Sequence, residues 1–161
     1  MAPILPFLKP SQIKLLNELI EKGASFVHSE PMLESAIHSP SNHQYYLKEN
    51  DLAQLAAIQS CALIQNHLLL NGNKRTALLA ANLFLLQNGK ALQRDPYQAE
   101  ANDAITQAHS QIAEGKMDSA ALVNIYRACM TAATLTQTAI VEDESRPPSD
   151  NQKRRYYASA R

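Results

Sequence analysis

The chain contains no tryptophan, only 6% aromatic residues and only four glycines among 161 positions. Sandwiches and barrels need aromatic and β-branched strands joined by glycine-rich turns, so an all-β architecture is excluded and the recurring Ala and Leu predict helices. Cysteine is scarce too: Cys61 and Cys129 stand apart, with no CxxC or CxxxC spacing. A disulfide framework and a zinc site are both unsupported, and two buried, reduced thiols are expected. No apolar run approaches the ~18 residues that span a bilayer, and the opening Met-Ala-Pro-Ile-Leu-Pro lacks the charged flank and long apolar stretch of a signal peptide. These absences predict a soluble, cytoplasmic protein with no membrane contact.

Net charge is missing as well, because 15 Lys and Arg balance 15 Asp and Glu. Neutrality argues against a general nucleic-acid partner. The balance conceals an uneven placement. Residues 1–51 carry four bases and six acids, 52–94 four bases and no acid, 95–141 two bases and five acids, and 142–161 five bases and four acids. What the chain does have is 45% hydrophobic residues, enough at this length to bury roughly two thirds of the unfolded surface in one domain.

The apolar spacing lays out that domain. Ser11 is placed to cap a helix carrying Ile13, Leu15, Leu16, Leu19 and Ile20, with Gly23 as its stop. Residues 24–29 read as a loop. Ser29 then precedes Glu30-Pro31 and a short helix on Met32, Leu33, Ala36 and Ile37, ended before Pro40. Ser39 to Asn50 is polar and reads as a long exposed loop with a short extended piece. Asp51 caps a helix from Leu52 to about Asn66 that is apolar on nearly every side. A break at Asn71-Gly72-Asn73 leads into a second such helix, Lys74 to Gln87, closed by Asn88-Gly89. Two more helices follow, about Tyr97 to Glu114 with Ala101, Ala104, Ile105, Ala108 and Ile112 on one side, and from Asp118 with Leu122, Val123, Ile125, Tyr126, Cys129 and Met130. His109 falls on the former and is expected at its surface. The domain therefore covers 1–130. Residues 131–161, with Glu142-Asp143-Glu144, Pro147-Pro148 and Lys153-Arg154-Arg155, read as a disordered tail.

Chemistry concentrates between the two most apolar helices, in His67-Leu68-Leu69-Leu70-Asn71-Gly72-Asn73-Lys74-Arg75-Thr76. A glycine between two asparagines suits unusual backbone angles and can turn successive N–H groups into one concavity. The next helix begins there, with its first N–H groups unpaired and its dipole positive. Lys74 and Arg75 in that first turn are disfavoured by the dipole unless an anion offsets them, and a phosphate would meet the N–H groups, the dipole and the guanidinium together. His67 overhangs the same concavity, and imidazole with its ordinary pKa near 6.5 can take a proton from an attacking hydroxyl. A solvated cationic helix start and a hydrogen-bonded core histidine are the plainer alternatives. A Walker A loop is excluded, because the first Gly of GxxxxGK[ST] is missing and Arg75 follows Lys74.

This segment resembles the Fic/Doc (Fido) family motif, HPFx[D/E]GN[G/K]R. The Lys before the Arg, followed by Thr-Ala-Leu, is similar to the Doc, or death-on-curing, type. Leu33-Glu34-Ser35-Ala36 with Pro40 behind it, Leu55-Ala56-Ala57, and Phe84-Leu85-x-x-Asn88-Gly89 extend the similarity over about residues 12–130. The resemblance implies an all-α Fido-type helical bundle around a central motif helix with a short extended flap. It also implies ATP or another nucleoside triphosphate as donor, Mg²⁺, and transfer to a Ser, Thr or Tyr hydroxyl of a target protein, with an antitoxin-like inhibitor as a further partner. On these residues, His67 would be the base, Gly72 and Asn73 would shape the anion loop, Asn73 would add a side-chain contact, and Lys74 and Arg75 would face the phosphates. Lys74 stands where adenylylating members have Gly, so phosphate transfer is implied beside AMP transfer. The flap that aligns the target backbone would lie within 24–46.

Three departures stand out. Leu68 and Leu69 replace the motif Pro and Phe, a swap that packing can absorb. Asn71 replaces the acid that would hold Mg²⁺, and an amide oxygen coordinates without the charge. A weakened or metal-independent transferase and a catalytically silent module binding a nucleotide or a protein both remain open readings. Ser110-Gln111-Ile112-Ala113-Glu114-Gly115 matches the inhibitory [S/T]xxxE[G/N] pattern, yet Leu78 occupies the place of the arginine it would block, and the stretch reads equally as a helix end. His28, His38 and His43 lack carboxylate or thiol companions at ligand spacing.

Overall fold

The computed structural model describes residues 5–23, 25–92 and 99–132. Among them run six helices: α1 (Pro10–Glu21), α2 (Glu30–Leu47), α3 (Leu52–Gln65), α4 (Asn73–Gln87), α5 (Ala99–Ala113) and α6 (Ser119–Cys129). The fold is all-α apart from one small antiparallel pair, β1 (Lys90–Ala91) with β2 (Thr131–Ala132), in which Lys90 faces Ala132. The tail read as disordered lies, from residue 133 on, outside the described residues.

The two apolar helices make the centre. α3 buries Leu55, Ala56, Ala57, Leu63 and Ile64, and α4 buries Ala77, Ala80, Ala81, Phe84 and Leu85. α3 packs against α2, α4, α5 and α6, so a helix with no polar face is what its position requires. Asp51 caps α3 by accepting from the Ala53 amide at 2.9 Å and pairs with Arg127 of α6. α1 lays Ile13, Leu16 and Ile20 on α4, and Phe7 ahead of it stacks on Phe84 at 5.6 Å.

Four expectations are corrected. α1 starts with Pro10 behind Lys9, whose amide is accepted by the Gln12 side chain, so Ser11 lies inside the helix. α2 does not stop before Pro40; it runs through it to Leu47, and the expected loop over residues 39–47 is helical. Proline removes one helical donor and crowds the carbonyl behind it. Here Pro40 is buried, and Ser41 and His43 donate at 2.8 and 2.9 Å to the carbonyls of His38 and Ser39, supplying hydrogen bonds beside the lost one. On α5 the inward face is Ile105, Ala108, His109 and Ile112, while Ala104 is exposed; His109 is buried rather than at the surface. The start of that helix at Tyr97 lies outside the described residues. Both thiols are free, Cys61 buried and Cys129 half-buried, and burial pushes the Cys61 thiol up to about 11.

Candidate active site

Residues 66–72 join α3 to α4, and their backbone is held from three sides. Leu68 and Leu69, the replacements for the motif Pro and Phe, are each 1% exposed and anchor the loop in the core. Segment 26–28 runs alongside: the His28 amide donates to the Leu68 carbonyl at 2.9 Å, and the Leu70 amide to the Phe26 carbonyl at 3.0 Å. That bridge opposes Val27 to Leu69. The third hold is Asn73, whose Oδ1 accepts from the Leu69 amide at 2.9 Å while its Nδ2 donates to the Leu69 carbonyl at 2.8 Å. Both ends of that side chain are thus committed to the loop. These two bonds make Asn73 a shaper of the loop, as expected of it.

Two side chains of α1 complete the frame, and neither was marked in the sequence. Asn17, 2% exposed, donates at 2.8 Å to the Asn71 carbonyl and at 3.2 Å to Thr76 Oγ1, and accepts from Ser25 Oγ at 2.7 Å. Glu21, at the end of α1, pairs with Arg75 at 2.8 Å. Gly72 lies beneath this pair at φ +74°, and a Cβ on it would come within 2.6 Å of Glu21 Oε1. Only glycine meets both the angle and the approach. A signal for Glu21 did exist: the helix start at 73–75 has two cations and no acid, which demands an anion from elsewhere. The carboxylate of Glu21 supplies an anion to one of those two cations, Arg75.

The result is a cleft of about 390 Å³ lined by Ile64, His67, Leu70, Asn71, Gly72, Asn73, Lys74, Arg75 and Ala113. Every residue marked as a candidate thus reaches one concavity of small-molecule size. His67 stands at φ +45°, in the left-handed turn just after α3, and is exposed. Lys74 is exposed, with its Nζ 3.5 Å from Ser110 Oγ. Asn71 is exposed at the lip.

A family model described as Fic/DOC family matches residues 7–85. Over those residues the chain belongs to the Fic/DOC family. The match runs from before α1 into the last turn of α4 and so contains the whole loop and both α1 side chains that frame it. The Fido-type domain is generally linked to transfer of groups onto proteins. A search of curated proteins finds no match. Among the described residues, no helix is long and apolar enough to cross a membrane.

The Fic/DOC motif carries an acid for Mg²⁺, which normally takes one or two carboxylates beside phosphate oxygens. In this chain position 71 is an amide, and the carboxylate nearest the loop is held by Arg75. Among the described residues no group of three or more His, Cys, Asp or Glu is placed to hold a metal. The residues present, Asn71 included, do not fit a resident magnesium ion.

Proposed function

We propose that the chain is a Doc-like Fido transferase, working in the cytoplasm, that moves a phosphate or nucleotidyl group from ATP to a hydroxyl of a target protein. The observation that carries this reading is the convergence of His67, Lys74 and Arg75 on one cleft at the glycine-capped start of α4. ATP enters with its phosphates against the first-turn N–H groups and the two cations. Arg75 lets go of Glu21 to hold them. His67 then takes the proton of the target hydroxyl as that oxygen bonds to phosphorus, and the bond to the leaving group breaks. Attack at the γ-phosphate releases ADP; attack at the α-phosphate releases pyrophosphate.

The target arrives as an extended segment. Phe26 and His28 direct their bonding groups toward Leu68 and Leu70, so Val27 turns its own N–H and C=O the other way, toward an incoming strand. Supplying ATP labelled at the α or the γ position to the pure protein in lysate, with Mg²⁺, separates the two transfers. Label on a protein band that disappears with His67→Ala supports the enzyme; no transfer from either label overturns it.

Asn71 and the Glu21–Arg75 pair favour a second reading, a silent module that binds a nucleotide without turnover. Asn71→Asp separates the two. Transfer gained only by that variant marks a degenerate enzyme, whereas equal transfer by both proteins means the acid is dispensable.

A further inference from the structure

Among the described residues, the inward face of α5 carries one polar side chain, and the transfer chemistry leaves it unused. His109 Nδ1 lies 3.3 Å from the carbonyl oxygen of Lys74, and Nε2 lies 2.6 Å from the Tyr126 hydroxyl. That hydroxyl is 2.7 Å from the hydroxyl of Ser60. The three side chains are at most 1% exposed and come from α5, α6 and α3, while the carbonyl belongs to α4. Four helices thus meet in one line of polar atoms.

The proton order follows from its end. Burial pushes His109 down to about 4, so at neutral pH the ring carries one proton. A carbonyl only accepts, which places that proton on Nδ1, directed at Lys74. Nε2 then accepts from Tyr126, and the freely rotating Ser60 hydroxyl donates to the Tyr126 oxygen. In this order each member is satisfied.

Packing does not call for it. Ile105, Ala108 and Ile112 already make the face apolar, and an apolar side chain at 109 would bury without the cost of desolvating imidazole. What the chain reaches is the second residue of α4. The Lys74 carbonyl lies in the turn that presents both cations, and Ser60 lies on the helix that leads to His67. The line therefore ties the helix that leads to the base to the helix carrying the cations.

We propose that His109, oriented by Tyr126 and Ser60, is a positioning residue that fixes the first turn of α4 and so presents Lys74 and Arg75 preformed to the donor's phosphates. The role rests on the donor-binding reading of the cleft. Its test compares His109→Leu, His109→Asn and Tyr126→Phe with wild type, by calorimetric titration of ATP, by amide hydrogen exchange at Thr76, Ala77 and Leu78, and by thermal unfolding.

His109→Leu should weaken ATP binding on the order of tenfold, the scale on which partners behind a ligating group act, and speed exchange at those three amides. Asn places a side-chain N–H near the position of Nδ1, so His109→Asn should recover affinity to within about threefold. Tyr126→Phe should fall between them. If His109→Leu does not fold, the Asn and Phe variants carry the comparison. Lower melting temperatures with unchanged affinity and unchanged exchange would reduce the chain to packing and overturn the proposal. Faster exchange in a protein whose wild type binds no ATP would leave the positioning standing and remove the donor reading instead.

Discussion

Replacing Glu21 by Gln should tighten ATP binding, because Arg75 holds either the carboxylate or the donor. The pair is 2.8 Å apart with side chains 26% and 56% exposed, Glu21 being the more covered. Coulomb's law in water at about 3 Å gives ~1.4 kcal/mol of attraction before entropy and screening. Exposed pairs retain ~0.5–1 kcal/mol after those losses. Gln keeps the size and an acceptor oxygen but not the charge, so that energy no longer opposes transfer of the guanidinium to a phosphate. At ~1.4 kcal/mol per decade, affinity should rise about two- to fivefold. Removing a carboxylate beside the incoming phosphates acts in the same direction. Calorimetric titration of ATP at low and high salt measures the gain, which should shrink as salt screens the exposed pair. Unchanged or weaker binding by Glu21→Gln would refute the competition. So would Arg75→Ala binding ATP as tightly as wild type.

Gly72→Ala asks a side chain to adopt φ +74° and to sit 2.6 Å from Glu21 Oε1. A left-handed angle costs ~1–2 kcal/mol, so the melting temperature should fall by several degrees while Glu21 is displaced; wild-type stability would count against the reading. His109 makes stability depend on acid. Its pKa in the fold is pushed down to about 4 by burial, below the unfolded value of 6.5, so the unfolded chain takes up the proton first. Its contribution is fully present above pH ~6.5 and is lost on the way down to pH ~4, at roughly 1.4 kcal/mol per unit. Urea titrations across that range should show a slope that His109→Asn lacks. Asp51→Ala removes the cap on the Ala53 amide together with the partner of Arg127, and should cost ~1–2 kcal/mol by urea denaturation without changing ATP affinity.

Local signals carried the reading of the helices where each residue's role was decided by its own neighbours. Asp51 capped the helix it was expected to cap, and the break around Gly72 separated two helices apolar on nearly every side. Pro40 misled because its effect depends on partners outside the backbone pattern: burial, and two side chains bonding nearby carbonyls, keep α2 going. His109 misled because one polar residue on an apolar face is silent about whether a partner awaits it inside. The pair β1 and β2 is two residues long on each side, too short for any alternation to register.

The candidate site divides the same way. His67, Gly72, Lys74 and Arg75 were legible because the break, the dipole and the cations lie within one short stretch whose physics is local. The acid that answers those cations was not, since Glu21 lies fifty-four positions before Arg75. A helix shows in its sequence which face it will bury, but the end it brings to another helix is settled only when the faces pack. By itself the sequence determined an all-helical domain with a cationic, glycine-capped loop at its centre. Packing α1 on α4 and α5 beside them decided what that loop meets: a carboxylate over its arginine, an asparagine beneath its backbone and an imidazole behind its lysine.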